Sequence, residues 1–334
     1  MKKLTILTAA AYLALAAVAL GAWLYEGEWG SWGSGDGQFT LPEGVAVAPH
    51  AYVYVLDTGK YRVQYFTATG SYVSKWSSGT KPRGIAVAPN ADVYVADTGN
   101  HRIRYYLPNG RSWGSWGVPG SGDGEFLYPA GIIVVPNGNV YVADTENHRI
   151  QYFTAVGSFL GKWGSQGSGD GQFLYPLSLA YAPNGNVYVA DTDNHRIQYF
   201  TSTGSFLGKW GVYGSGDGEF RSPSGIAVAP DSKVYVADYY NHRIQYFTPT
   251  GSFLGKFGAE GAGPGLFKYP RQLAFSPDGE RLYVCDLYND RIQYFLFKGS
   301  KSASTFAGPQ AHSADSGEVT ITPTSLGRVK ALFQ

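Results

Sequence analysis

Cysteine is almost absent: Cys285 is the only one in 334 residues, and Met1 is the only methionine. A single thiol excludes an internal disulfide framework and any zinc site built on cysteines. Charge is scarce as well. Asp, Glu, Lys and Arg make up 15% of the chain, against roughly 25% in an average soluble protein. The 26 basic and 25 acidic residues leave a net charge of +1, so the sequence offers no basic field for nucleic acid or an anionic membrane. Beyond Leu24 there is no convincing 3.6-residue hydrophobic period, and helices are not expected there. What the chain has in quantity is glycine, 45 residues, and aromatic side chains, 16%. That much Tyr, Phe and Trp must be buried, which excludes disorder. Glycine without a three-residue period excludes a collagen-like rod. A glycine-punctuated β protein is left.

The one long apolar run, residues 4–24, follows Lys2 and Lys3. A basic start before an Ala/Leu stretch is the pattern of a secretory signal, and small residues at Ala19 and Gly21 place cleavage after Gly21. The run is also long enough to span a bilayer as a helix. Residues 1–21 are therefore expected to be a signal peptide or a retained membrane anchor. Either way the rest of the chain is expected to be secreted or on the extracytoplasmic cell surface.

Internal repetition governs the remainder. The segment VYVADTENHRIQYF from Val140 recurs at Val187 and Val234 with two substitutions at most, and looser copies begin at Val53, Val93 and Leu282. The shared aspartates Asp57, Asp97, Asp144, Asp191, Asp238 and Asp286 are spaced 40, 47, 47, 47 and 48 residues apart. Each unit holds four short β-rich runs separated by Gly, Pro, Asn and Asp, the residues of turns. Six units of four strands specify an all-β fold, a six-bladed β-propeller of four-stranded antiparallel blades over residues 22–298. The sixth copy lacks a Trp-bearing fourth strand, and the segment Leu24-Tyr25-Glu26-Gly27-Glu28-Trp29-Gly30 matches the fourth-strand pattern of Leu207-Gly208-Lys209-Trp210-Gly211. The N-terminal strand is thus expected to complete blade six and close the ring, with the N-terminal apolar segment directly against it.

The repeat resembles the NHL family, whose Asn-His-Leu-like triplet reads Asn-His-Arg-Ile here. The resemblance runs from about residue 41 to residue 295, and four units carry Asn-His-Arg intact. It implies the propeller fold strongly and function weakly, since the family includes RNA- and protein-binding modules, sensor domains of bacterial receptor kinases and a few lyases.

Several repeated polar residues invite a chemical reading. The pairs Asp57 and Arg62, Asp97 and Arg102, Asp144 and Arg149, Asp191 and Arg196, Asp238 and Arg243, and Asp286 and Arg291 stand five apart in every unit. They are read as turn staples, each Asp accepting turn amides and pairing with its Arg across the second-to-third-strand turn, rather than as a ring of anion sites. His101, His148, His195 and His242 occupy equivalent places on four blades, so they are not expected to converge on a metal as the histidines of the family's metal-dependent lyases would. The loop Gly-Ser-Gly-Asp-Gly-Gln-Phe from Gly33, with relatives at Gly120, Gly167 and Gly214, lacks the Lys-Ser/Thr and helix of a P-loop, and one Asp apiece is too few for a calcium loop. Its Phe39, Phe126, Phe173 and Phe220 are expected to plug the blade interfaces. No metal, cofactor or catalytic residue is assigned.

If shared residues build the ring, specificity belongs where the copies disagree. In the second-to-third-strand turn, blade five has Tyr239 and Tyr240, blade six Leu287, Tyr288 and Asp290, and blade one Lys60 and Tyr61. At the start of the innermost strands stand Glu43, Arg83, Ala130, Leu177, Ser224 and Arg271, the charged three belonging to blades one, two and six. An aromatic rim of Tyr61, Tyr239, Tyr240 and Tyr288 around Arg271, Glu43 and Arg83 is the expected pocket, suited to a protein, peptide or glycan partner. The expected role is non-catalytic binding or scaffolding at the cell surface, with no nucleic-acid partner and membrane contact only through a retained leader. The alternatives are a subunit of an extracellular assembly or filament, joined through residues 299–334 (a linker with short strands at 318–322 and 328–333), and a metal-dependent lyase resembling those of the family.

Overall fold

The structure is a computed structural model that describes residues 22–298. The expected leader and the expected tail strands lie outside the described residues. Six four-stranded antiparallel sheets follow one another as blades. Blade three is typical: Pro129–Val134 innermost, then Val140–Asp144, Arg149–Phe153 and Phe159–Trp163 at the rim. Its second strand is buried at every position because neighbouring blades cover both of its faces, which is why the sequence there is a continuous Val-Tyr-Val-Ala run and not an alternating one. The outer strand does alternate, with Phe159, Gly161 and Trp163 facing inward and Leu160 and Lys162 outward.

The core lies between blades. Tyr94, Ala96 and Ile103 of blade two, for example, pack with Ile132, Val140 and Val142 of blade three. The rim tryptophans reach across the same interfaces. Trp163 of blade four's neighbour lies on Gly204, in the last turn of blade four, where φ is +92° and a Cβ would stand 2.7 Å from the indole ring. Only glycine meets both demands. Tyrosine hydroxyls tie each blade to the next: Tyr54 donates to the Pro108 carbonyl, Tyr94 to Ala155, Tyr141 to Ser202 and Tyr188 to Pro249, at 2.9–3.1 Å.

Blade six is made from both ends of the described chain. Pro270–Phe275, Arg281–Asp286 and Arg291–Lys298 supply three strands, and Ala22–Trp29 supplies the rim. The register repeats that of the other blades: Trp29 opposes Ile292 as Trp163 opposes Ile150, and Gly27 opposes Tyr294 as Gly161 opposes Tyr152. Charge reinforces the junction, since Arg281 forks onto Glu26 at 2.6 and 2.8 Å and Arg291 reaches Glu28 at 2.7 Å. The tyrosine tie also crosses the seam, Tyr283 donating to the Ala68 carbonyl of blade one at 2.9 Å. The ring is closed by its N-terminal strand.

Candidate functional site

In blade three the Asp144 carboxylate accepts the Arg149 Nε–H at 2.7 Å and the Leu127 amide at 2.7 Å. Burial pushes this carboxyl above the usual range, opposed by the Leu127 amide, Asn147 and Arg149. All six pairs, Asp57–Arg62 through Asp286–Arg291, are joined at 2.6–2.8 Å. One element of the expected staple needs correction: the strong amide donor comes from the loop entering from the previous blade, not from the turn that the pair flanks. The Arg149 guanidinium then donates to the Ser121, Gly122 and Glu125 carbonyls of that same loop. The Asp–Arg pair therefore clamps the interblade loop, whose carbonyls face inward and leave no phosphate cradle. Phe126 of the loop is fully buried against Phe153, with ring centroids 5.5 Å apart.

The histidines serve the same junctions. His101, His148, His195 and His242 sit at φ of 52–54° at the end of a one-turn 3-10 helix. Each Nδ1 accepts an amide from the next blade at 3.1 Å, those of Tyr128, Tyr175, Ser222 and Tyr269. Among the described residues no group of three or more His, Cys, Asp or Glu is placed to hold a metal ion, and no helix is long and apolar enough to cross a membrane.

Glu43, Arg83, Ala130, Leu177, Ser224 and Arg271 form a ring around the axis. Beneath them the throat is nearly shut. A Cβ on Gly84 would lie 2.0 Å from the Ala130 carbonyl oxygen, and one on Gly225 would lie 2.0 Å from that of Arg271. About 20 Å³ remains, on the order of a single water. The mouth is therefore a bowl with a floor and not a pore.

On the floor, Glu43 lies 3.4 Å from Arg271 Nη2 and 3.9 Å from Arg83 Nε. One carboxylate stands between two guanidinium groups on the floor, a charge that Asp193 on the cavity wall balances, and Arg83, with 44% of its side chain exposed against 15% for Arg271, is the guanidinium turned to solvent. Above the floor a cavity of about 330 Å³ brings Glu43, Arg83 and Arg271 together with Tyr239, Tyr240 and Tyr288. The tyrosines form one stack of edges: Tyr239 to Tyr240 is 4.9 Å, Tyr239 to Tyr269 5.0 Å and Tyr269 to Tyr288 5.1 Å. The Arg271 guanidinium lies 5.7 Å above Tyr239. Burial raises the Tyr239 hydroxyl to about 12, with Arg271 opposing the rise, so it remains a hydrogen-bond donor throughout the physiological range.

Tyr61 does not join this wall. It occupies the left-handed position that histidine takes in blades two to five, and the residue is 43% exposed. Three other residues complete the bowl. Tyr269 links the tyrosine stack. Glu146 and Asp193 line an adjoining space of about 400 Å³, with Lys81, Tyr128 and Tyr175, that shares Arg83, Leu177 and Asp193 with the first. The sequence signal for Tyr269 was its place just before Pro270, the place that Tyr128 and Tyr175 hold before Pro129 and Pro176. Glu146 and Asp193 stand in the turn position where blades one and two have Gly59 and Gly99, a difference as informative as the tyrosines.

The model of the NHL repeat matches residues 80–106, 126–153, 173–200 and 220–247. The chain belongs to the NHL repeat family. Those four segments fall in blades two to five of this NHL propeller; blades one and six, where Lys60-Tyr61 and Asn289-Asp290 replace Asn-His, carry the same strands with altered turns. No curated protein matches the sequence. Among solved structures it is similar to a streptogramin B lyase (TM-score 0.59, 15% identity, covering 80% of this chain and 96% of that one). It is also similar to virginiamycin B lyase from Staphylococcus aureus (0.55, 16%, 77% and 95%), and to XC5397, a gluconolactonase from Xanthomonas campestris (0.63, 17%, 85% and 92%). At these identities the likeness is one of fold.

Proposed function

We propose that this NHL propeller is a non-catalytic binding module of the extracytoplasmic cell surface that captures a polar, anion-bearing segment of a protein, peptide or glycan in the bowl at its mouth. The observation that carries the reading is the convergence of Arg83, Arg271 and Glu43 with Tyr239, Tyr240 and Tyr288 on one cavity. An exposed guanidinium recognises a carboxylate or similar anion, and tyrosine edges cover apolar or sugar surface while offering hydroxyl bonds. The floor excludes passage, so a ligand is held and not conducted. Export rests on Lys2, Lys3 and the apolar run after them.

The experiment is to probe an array of acidic and neutral peptides and of charged and neutral glycans with the purified protein. Anionic features should be retained and should be lost with Arg271→Ala and Tyr288→Ala; because Arg271 also pairs with Glu43 of blade one, each variant is first checked for an unchanged circular dichroism spectrum. Retention unchanged in both variants would place recognition elsewhere on the surface.

A further inference from the structure

Five interblade loops are seated in the same way by an arginine and a glutamine, and in four of them a rim lysine also pairs with the loop aspartate. In blade one, Arg62 donates to the Ser34, Gly35 and Gln38 carbonyls, Gln64 donates to the Gln38 carbonyl and accepts the Gly37 amide, and Lys75 pairs with Asp36. Arg62 and Gln64 stand two apart on one strand and converge on one carbonyl. Blade two keeps only part of this arrangement. Its aspartate follows the previous one by 40 residues instead of 47, and the missing residues are those of the loop. The last part of the loop survives, for the Thr80 amide still binds Asp97 at 2.6 Å. The turn whose carbonyls the arginine would take is gone. Arg102 accordingly keeps only Asp97, at 2.8 Å through Nε. Its side chain is 37% exposed, where its five counterparts are between 7 and 11% exposed. Neither of its Nη groups has a hydrogen-bond acceptor among the described residues.

The neighbouring positions have changed with the loop. Arg104 replaces the glutamine, stacking 5.1 Å over Tyr106, and Ser115 opposite it replaces the lysine that pairs with a loop Asp. The apolar half of the seat is filled from within: Tyr106, which replaces the blade's Phe, is buried and donates to the Ser77 carbonyl. Only the polar half is open, and there two guanidinium groups stand at the place where a carbonyl-rich turn lies in the other five blades, a turn that bears an Asp in blades one, three, four and five. We propose that this recess on blade two is a second binding site, for an acidic glycine-containing turn of a partner protein, with a carboxylate taken by Arg104 and backbone carbonyls by Arg102. Charge complementarity selects the occupant: Arg104 stands in for the lysine that Ser115 replaces, so the recess keeps two cations but has no loop aspartate to balance either of them beyond Asp97.

The test uses the full-length protein and the peptide acetyl-Gly-Ser-Gly-Asp-Gly-Glu-amide carrying a photo-crosslinker, with its Asn/Gln counterpart as control. The acidic peptide should crosslink to the segment 102–116. Arg104→Gln, which restores the residue used in the other blades and so preserves the fold, should weaken binding at least tenfold, as should raising salt from 50 to 500 mM. No binding at millimolar peptide, equal binding of the neutral peptide, crosslinks confined to the mouth, or affinity unchanged by Arg104→Gln would each overturn the proposal.

Discussion

The indole Nε1–H of Trp23 donates a 3.0 Å hydrogen bond to the hydroxyl of Tyr235, and the two rings meet edge to face at 5.6 Å. Everywhere else around the ring this tyrosine donates to a carbonyl in the third-to-fourth-strand turn of the next blade. Blade six has no such turn, because its third and fourth strands come from opposite ends of the described chain. The N-terminal tryptophan supplies the missing partner with the donor and acceptor roles reversed. Trp23→Phe keeps an aromatic ring but removes the N–H, and should cost about 1–2 kcal/mol in urea unfolding. No loss of stability would show that Tyr235 finds another partner.

The Glu26–Arg281 fork makes closure sensitive to acid. Arg281 holds the Glu26 carboxyl below its usual range. A carboxylate depressed in the folded state contributes stability that is full above about pH 4.5, the unfolded value, and is lost as pH falls through the folded value. Unfolding midpoints measured from pH 6 to pH 3 should therefore fall more steeply in the natural protein than in Glu26→Gln. Parallel curves would mean that the fork contributes nothing to closure.

The same substitution should have unequal effects in different blades. Arg149→Ala leaves the buried Asp144 carboxylate without its cation and its loop without three donors, a loss of about 3–5 kcal/mol. Arg102→Ala removes a half-exposed side chain with one partner and should cost about 1–2 kcal/mol, nearer to a single charge-assisted bond. Chemical denaturation of the two variants side by side decides it, and equal losses would contradict the unclamped state of blade two.

The ring was legible in the sequence because its determinants are local and copied. The Val-Tyr-Val-Ala-Asp run, the Asp–Arg spacing and the Gly-x-Trp pattern recur at one interval, so each copy corroborates the others, and the Trp29 pattern alone locates the closing strand. The grouping of Glu43, Arg83 and Arg271 with Tyr239, Tyr240 and Tyr288 was legible for the same reason, since a known symmetry turns a sequence position into a place on the ring. What escaped were contacts between successive units. The Leu127 amide and the Ser121 carbonyl reach Asp144 and Arg149 from 17 and 28 residues upstream, a separation no local pattern marks. Tyr61 holds the left-handed position that ends its turn and is not among the residues that line the cavity, a placement its difference from the other copies did not mark. Tyr269, Glu146 and Asp193 were passed over because each looks ordinary within its own blade.

Building the sixth blade from both ends has a kinetic cost. The first strand to be made has no sheet to join until some 270 residues later, when its partner Arg291–Lys298 is synthesised. Until then an unsatisfied edge, rich in Trp and Tyr, must wait through synthesis. A ribosome that stalls anywhere before the last strand releases not a smaller wheel but an open sheet stack with two adhesive margins. For this protein the final strand of the propeller acts as the latch, since the first strand has no sheet partner before it.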